Sequence, residues 1–590
     1  MRKETILCIA FAITGLLITA GYQELTNGRR GIDIIDATWI EEPLFEMIQR
    51  SSKGTLTFKE QEEMLPLLAE MGIKTIYLTP IWKYKPGTPL SRYYILDYYE
   101  IDPAKGTEED FKHFIETAHS YGIKVILDLV TAHTGPGRYI YENHKDWILK
   151  DKYGNLVYCW PHKQWGYAVD RANPEVIKYF TEIARYYVEE FGVDGYRMDA
   201  IGTQYCNETI SDCPQPVEGE HHSKLLLKSI KSAIGEDKAL YLEWAYLGRL
   251  YVYNAGVSEE DGCPCPNPIP CSMILPELNE YGDASYSYEF GKCFLQDMIR
   301  GGATSEDLVN FFKEECLYYG KARGRFLMTH DFGYDFYSTH PELHKVGAVL
   351  ITTVPGFPHI YHREIFPLGG IDAINEEMFN LYKKLLSIRE KFTALKKGSI
   401  ENIWREGDNA YAYMRKYGNE KVFVVLNFQA KEISVILDLP VENGSTLYDL
   451  LNEERFIVND STNFKIDLPA YGARILTLED VSPPLLSIEK PKKGYLYVFD
   501  RAWLPIGITI ILGRITIIAN AIDESGIEGV EFYVDDILKY NDTEQPYEWL
   551  WNEFAIGRYE IKVIAHDNKG NRAEDAVNVI IYNRVFQNNL

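Results

Sequence analysis

From Ala37 to about Phe392 the chain alternates short β-rich apolar runs with longer amphipathic ones, and this constrains the fold more than any other feature. GIKTIYLTP (72–80) predicts a strand ending in a loop, and TEEDFKHFIETAHSYG (107–122) a helix capped by Thr107 and closed by glycine. GIKVILDLVTAH (122–133) reads as a buried strand, and PEVIKYFTEIARYYVEEFG (174–192) as a helix opened by proline. The strand GYRMDA, a helix around 222–234, the strand ALYLEW (239–244) and a helix near 291–300 follow. RFLMTHD (325–331) and residues near 357–361 predict further strands, and 375–393 a last helix. Repeated strand–helix units of this kind imply parallel strands, and their extent suits an α/β fold closed as a (β/α)8 TIM barrel.

Within that frame GVDGYRMDA (192–200) carries the chemistry. Apolar and charged residues alternate with period two, so Arg197 and Asp199 point to one face of their strand. An opposite charge at that spacing favours the ionised carboxylate, the form a covalent glycosidase needs as nucleophile. A surface ion pair at a strand end would share the pattern. Asp128 and His133, Arg197 and Asp199, Glu243, and His330 with Asp331 all fall at or just past predicted strand C-termini. Loops at that end build the active site of barrel enzymes, so the seven residues converge on one site.

These segments resemble those of the α-amylase family of glycoside hydrolases, over about residues 35–480. DLVTAH (128–133), GVDGYRMDA, YLEW (241–244) and FLMTHD (326–331) are similar to the family's motifs on strands three, four, five and seven. GIKTIYLTP and GFPHIY (356–361) resemble its second and eighth strands, and YYILDYY (93–99) its sugar-stacking segment. The resemblance implies Asp199 as nucleophile, Glu243 as general acid/base and Asp331 as a third carboxylate stabilising the transition state. It implies substrate binding by Tyr93, His133, Arg197 and His330, with Tyr93 stacked on the ring beside the cut. The implied activity is a retaining glycosidase on α-linked glucans, with endo α-1,4 hydrolysis first. The alternatives are transglycosylation, α-1,6 or oligosaccharide hydrolysis, and a non-catalytic carbohydrate-binding barrel. The chain departs from the family at Ala132, where a calcium-ligating asparagine is usual, so no cofactor is assigned and calcium is left open. Threonine stands at 329 and 203, where asparagine and histidine or lysine are common in the family.

At 590 residues the chain is too long for one core. Residues 1–21 hold a basic start and an apolar run ending in small residues, the pattern of a secretory signal or of a membrane anchor. The barrel is expected over 22–395, with a short inserted loop domain at 134–170. Alternating β runs at 396–480 predict an antiparallel sandwich, the proline-marked stretch 481–494 a linker, and 495–590 an immunoglobulin-like sandwich. Trp503, Trp549 and Trp551 would serve there either as core or as a polysaccharide platform. Outside the N-terminal run lie eight cysteines, an even number that favours disulfides in an exported chain. CPCPNPIPC (263–271) reads as a stapled loop in preference to a metal knuckle. The net charge of −25 argues against nucleic acid as a partner. An α-glucan is the expected partner and the extracellular space the expected location, with surface attachment through either end left open.

Overall fold

The computed structural model describes residues 37–52, 54–85, 91–150, 153–158, 166–201, 223–243, 281–319, 322–478, 484–523 and 525–584. The N-terminal signal or anchor segment and Thr203 lie outside the described residues, as do the side chains of all nine cysteines.

Eight parallel strands close a barrel in sequential order. They are β1 (Leu44–Met47), β2 (Thr75–Leu78), β3 (Lys124–Val130), β4 (Gly195–Asp199), β5 (Ala239–Leu242), β6 (Ala284–Tyr286), β7 (Ala322–Arg325) and β8 (Phe357–Tyr361). Helices alternate with them, including α1 (Leu65–Met71), α2 (Glu108–Ser120), α3 (Pro174–Phe191), α4 (Lys224–Ile234), α5 (Leu295–Arg300), α6 (Ser305–Tyr319), α7 (Pro341–Thr353) and α8 (Glu376–Lys391). Thr107 caps α2 as its sequence predicts, in a reciprocal pair with Asp110. The (β/α)8 barrel expected from the alternation is therefore present.

Register across the barrel brings functional positions level. Arg197 on β4 pairs with Asp128 on β3 and with Tyr241 on β5. Gly195 makes this approach possible: its φ is +148°, and a Cβ there would lie 2.1 Å from the Ala239 carbonyl oxygen. Tyr77, Tyr241, Tyr286, Phe326 and Phe357 pack into one buried cluster of the barrel.

The seventh strand differs from its expected position. The apolar run of RFLMTHD lies past the strand, which is Ala322–Arg325. Phe326, Leu327 and Met328 are apolar because they are buried, and a short buried run has no period that separates strand from loop. The strand itself contains Arg323 and Arg325, buried and donating to Ser285 and Ser287. Beyond β3, His133–Thr134 pairs with Tyr167–Ala168, and Tyr139–Asn143 forms a short helix in the inserted loop.

Contacts divide the chain into two units, the first carrying the barrel and ending at Glu390. The second, Thr304–Val309 together with the chain from Lys391 onward, contains two β-sandwiches. A six-stranded and a three-stranded sheet over 399–477 enclose Phe423, Val425, Val435, Leu437 and Ile466. A second three-stranded and a seven-stranded sheet over 485–583 enclose Ile517, Phe532, Val563 and Val579. Leu485–Lys490, expected within the linker 481–494, is a strand of this last module, paired with Ile515–Ile522. Its alternation, half-buried at every second residue, outweighs the flanking prolines. Trp551 is in the module's core, with Trp549 stacked 6.0 Å from it, while Trp503 is 65% exposed.

Candidate active site

Arg197 is the hub of the barrel's C-terminal end. Strand periodicity sends Tyr196 outward, where its hydroxyl donates to the Ala184 carbonyl of α3, and sends Arg197 and Asp199 inward. The guanidinium is fully buried between the rings of Tyr77 and Tyr286. Its Nη1 donates to Asp128 Oδ1 and to Asp199 Oδ1, both at 2.7 Å, and its Nη2 lies 2.6 Å from Glu243 Oε1. One fixed cation thus faces three carboxylates. The remaining oxygen of Asp128 accepts from the Tyr77 and Tyr93 hydroxyls, each at 2.6 Å.

Glu243 follows β5 directly. Its Oε2 accepts from the Ala200 N–H at 2.7 Å and its Oε1 from the Tyr288 hydroxyl at 3.1 Å. Ala200 adopts φ +44°, a left-handed conformation that costs an L-residue about 1–2 kcal/mol. The strained turn directly after Asp199 aims a backbone donor at Glu243.

Burial raises the pKa of both Asp199 and Glu243. Arg197 opposes this at each carboxyl, while Glu243 adds to the rise at Asp199 and Asp331 to the rise at Glu243. Arg197 favours the ionised form of Asp199 as its spacing implies, and desolvation with two neighbouring carboxylates pulls the other way.

His133 faces Asp199 with Nε2 3.9 Å from Oδ2. Its Nδ1 is 2.7 Å from Arg138 Nη1, and since a guanidinium only donates, the ring proton resides on Nε2. Burial, with Arg138 and Arg171 beside it, lowers the His133 pKa well below the ordinary value and keeps the ring neutral. His330 and Asp331 lie in the loop after β7. Asp331 is about half-exposed, 3.3 Å from His330 Nε2. Tyr93, half-buried, stacks on His330 with centroids 5.3 Å apart and rings 12° from parallel. Tyr93 and the seven strand-end residues singled out in the sequence therefore gather at this end of the barrel.

Sequence reasoning passed over Glu46, Tyr77, Tyr288, Arg138 and His359. Glu46 was detectable as the single charge in LFEMI, an apolar run too short to tolerate an unused carboxylate. The tyrosines carry no such signal, because their rings fill the core while only their hydroxyls reach the site.

Calcium finds little at this position. Ala132 offers no side-chain oxygen, and its carbonyl accepts from the Val169 N–H at 3.1 Å. Buried Arg171, close enough to depress His133, donates to the Ala200 carbonyl at 3.1 Å. The residues present do not fit a hard cation there.

Residues 57–167 match the α-amylase catalytic domain, 402–475 the maltogenic amylase C-terminal domain, and 507–563 a bacterial Ig domain. The chain is 36% identical over 447 residues to the maltogenic α-amylase of Bacillus acidopullulyticus, covering 70% of this chain and 69% of that protein. The chain belongs to the α-amylase family of glycoside hydrolases. It is also 25% identical over 452 residues to a cyclomaltodextrinase of Geobacillus thermopakistaniensis, covering 70% of this chain and 69% of that one. A solved Anoxybacillus α-amylase shares the fold with a TM-score of 0.58 at 23% identity, covering 74% of this chain and 98% of that structure. As an α-amylase family member the protein is a glycosidase, and the family works with retention of anomeric configuration.

Proposed function

We propose that the protein hydrolyses α-linked glucans, with internal α-1,4 bonds as the primary target. The observation that carries this is the pairing of Asp199 and Glu243 on the two arms of one buried guanidinium. In this reading the Asp199 carboxylate attacks C1 of the sugar while Glu243 gives its proton to the departing glycosidic oxygen. Glu243, now ionised, takes a proton from water, which attacks C1 and releases Asp199. Asp331 supplies negative charge as the oxocarbenium-like transition state forms, and His133 Nε2–H and His330 hold sugar hydroxyls. Tyr93 supplies an apolar face to the ring beside the cut.

The names of the relatives favour short and cyclic maltodextrins as a second substrate class. One is a cyclomaltodextrinase and another a neopullulanase, from Thermoactinomyces vulgaris. Reducing-sugar release from starch, pullulan, maltotriose and a cyclodextrin separates the readings. Random cleavage of starch supports the endo reading, preference for cyclodextrin or pullulan the second, and transfer products transglycosylation. Binding without cleavage of any of them would leave a carbohydrate-binding barrel. We further propose that residues 1–21 direct export, so that the enzyme acts outside the cell. An N-terminus beginning after this segment, read from protein in the culture medium, tests that.

A further inference from the structure

On β1, opposite the catalytic pair, Glu46 is fully buried. Its Oε1 accepts from the His330 backbone N–H at 3.0 Å and from His330 Nδ1 at 2.5 Å. Its Oε2 is 2.9 Å from His359 Nε2 on β8, and His359 Nδ1 is 3.0 Å from the Tyr241 hydroxyl. The carboxylate therefore ties the first strand to the loop after β7 and to β8.

Proton bookkeeping gives this tie a meaning. His330 Nδ1 faces a carboxylate and carries a proton. His330 Nε2 is 2.7 Å from the Tyr93 oxygen. Tyr93 has one proton, which it donates to Asp128, so its oxygen receives the His330 bond and Nε2 is protonated too. His330 is then an imidazolium with Glu46 behind it and Asp331 in front.

Resting on the reading of Asp331 as the third carboxylate, we propose that Glu46 is a positioning residue for the glycosidase reaction. It locks the ring and the charge of His330, so that a permanent Nε2–H cation stands between Tyr93 and Asp331 at the sugar. The charge of Asp331 is thereby balanced without a metal, at every working pH. The groups facing His330 are Glu46 on β1, Asp331 on its own loop, Tyr93 and, more distantly, Arg197 on β4. Those facing Glu46 are His330 and His359. Electrostatics agree with the geometry. Burial alone would lower the His330 pKa, yet Asp331 and Glu46 outweigh it and push it up to about 10. Burial alone would raise Glu46, yet the two histidines hold it well below the usual carboxylate range.

The test compares kcat/KM from pH 5 to 9 for the wild type and Glu46→Gln on a soluble maltooligosaccharide. Without the carboxylate only Asp331 is left to oppose burial at His330, so its pKa falls and the Glu46→Gln to wild-type ratio of kcat/KM drops steadily as pH rises from 5 to 9. At pH 5 the two enzymes differ much less. A Glu46→Gln to wild-type ratio that is constant across pH would mark a merely structural role and overturn the proposal. Should Glu46→Gln fail to fold, histidine 15N NMR of the wild type at pH 8, assigned with His330→Asn, decides instead. Both ring nitrogens protonated supports the proposal and a neutral ring overturns it. If the wild type cleaves no α-glucan the functional reading fails, while the NMR result still decides the state of His330.

Discussion

Asp199 and Glu243 are held on one guanidinium, the first 2.7 Å from Arg197 Nη1 and the second 2.6 Å from Nη2. Nucleophile and acid are therefore not placed independently: the planar fork of a single side chain fixes both. Lysine has the charge without the fork. Arg197→Lys is expected to lower kcat by a factor on the order of 10² or more while the protein stays folded. Kinetics alongside circular dichroism check this, and a near-normal kcat would show that the carboxylates are positioned by other contacts.

The pH profile should carry the mark of Glu243. Burial raises its pKa, so it remains an acid above the ordinary carboxylate range and the alkaline limb of kcat lies higher than for a free glutamate. The sign follows from its role: as pH rises the proton needed by the leaving oxygen is lost, and rate falls. Glu243→Gln should remove roughly 10²–10⁴ of the rate on maltooligosaccharides and flatten that limb. On a substrate with an activated aryl leaving group, where no proton is needed, the first step should be far less impaired. Equal losses on both substrates would sink the assignment.

Much of the barrel, and the convergence of the strand-end polar residues at one end of it, were legible in the sequence for a physical reason. Strand period puts Arg197 and Asp199 on one face, and strand C-termini converge in space. What escaped was polar function hidden in apolar context. Glu46 lies in a run that otherwise reads as core, and the hydroxyls of Tyr77 and Tyr288 sit on rings that pack like any aromatic. The seventh strand was displaced because burial of Phe326 to Met328 mimics a strand. The upward pull of burial on the Asp199 pKa was not legible, because desolvation depends on depth, which a two-residue spacing does not reveal.

Chelators should leave activity largely intact. Ala132 lacks an oxygen side chain, and the Arg171 guanidinium already serves the Ala200 carbonyl. Complete loss in EDTA, restored by calcium, would place oxygen ligands elsewhere in the chain and refute this. Arg171→Met should lower thermal stability, since the carbonyl it serves is left without that donor.

In the C-terminal module Trp551 is structural. It is 2% exposed in the core and meets Tyr559 edge-on at 5.5 Å. Trp551→Ala is expected to destabilise the module by about 3–5 kcal/mol. Thermal unfolding of the full chain reads this as a lowered module transition, with hydrolysis of soluble substrate at 25 °C unchanged. An unshifted transition would contradict the core assignment.

The central claim is that Asp199 attacks the sugar carbon, and it makes one demand on the product. Proton NMR of a maltooligosaccharide digest, read within the first minutes before mutarotation, reports the anomer released. The α-anomer is expected from the wild type, with turnover reduced by several orders of magnitude in folded Asp199→Asn. Initial release of the β-anomer, or near-normal turnover by Asp199→Asn, would contradict the double displacement.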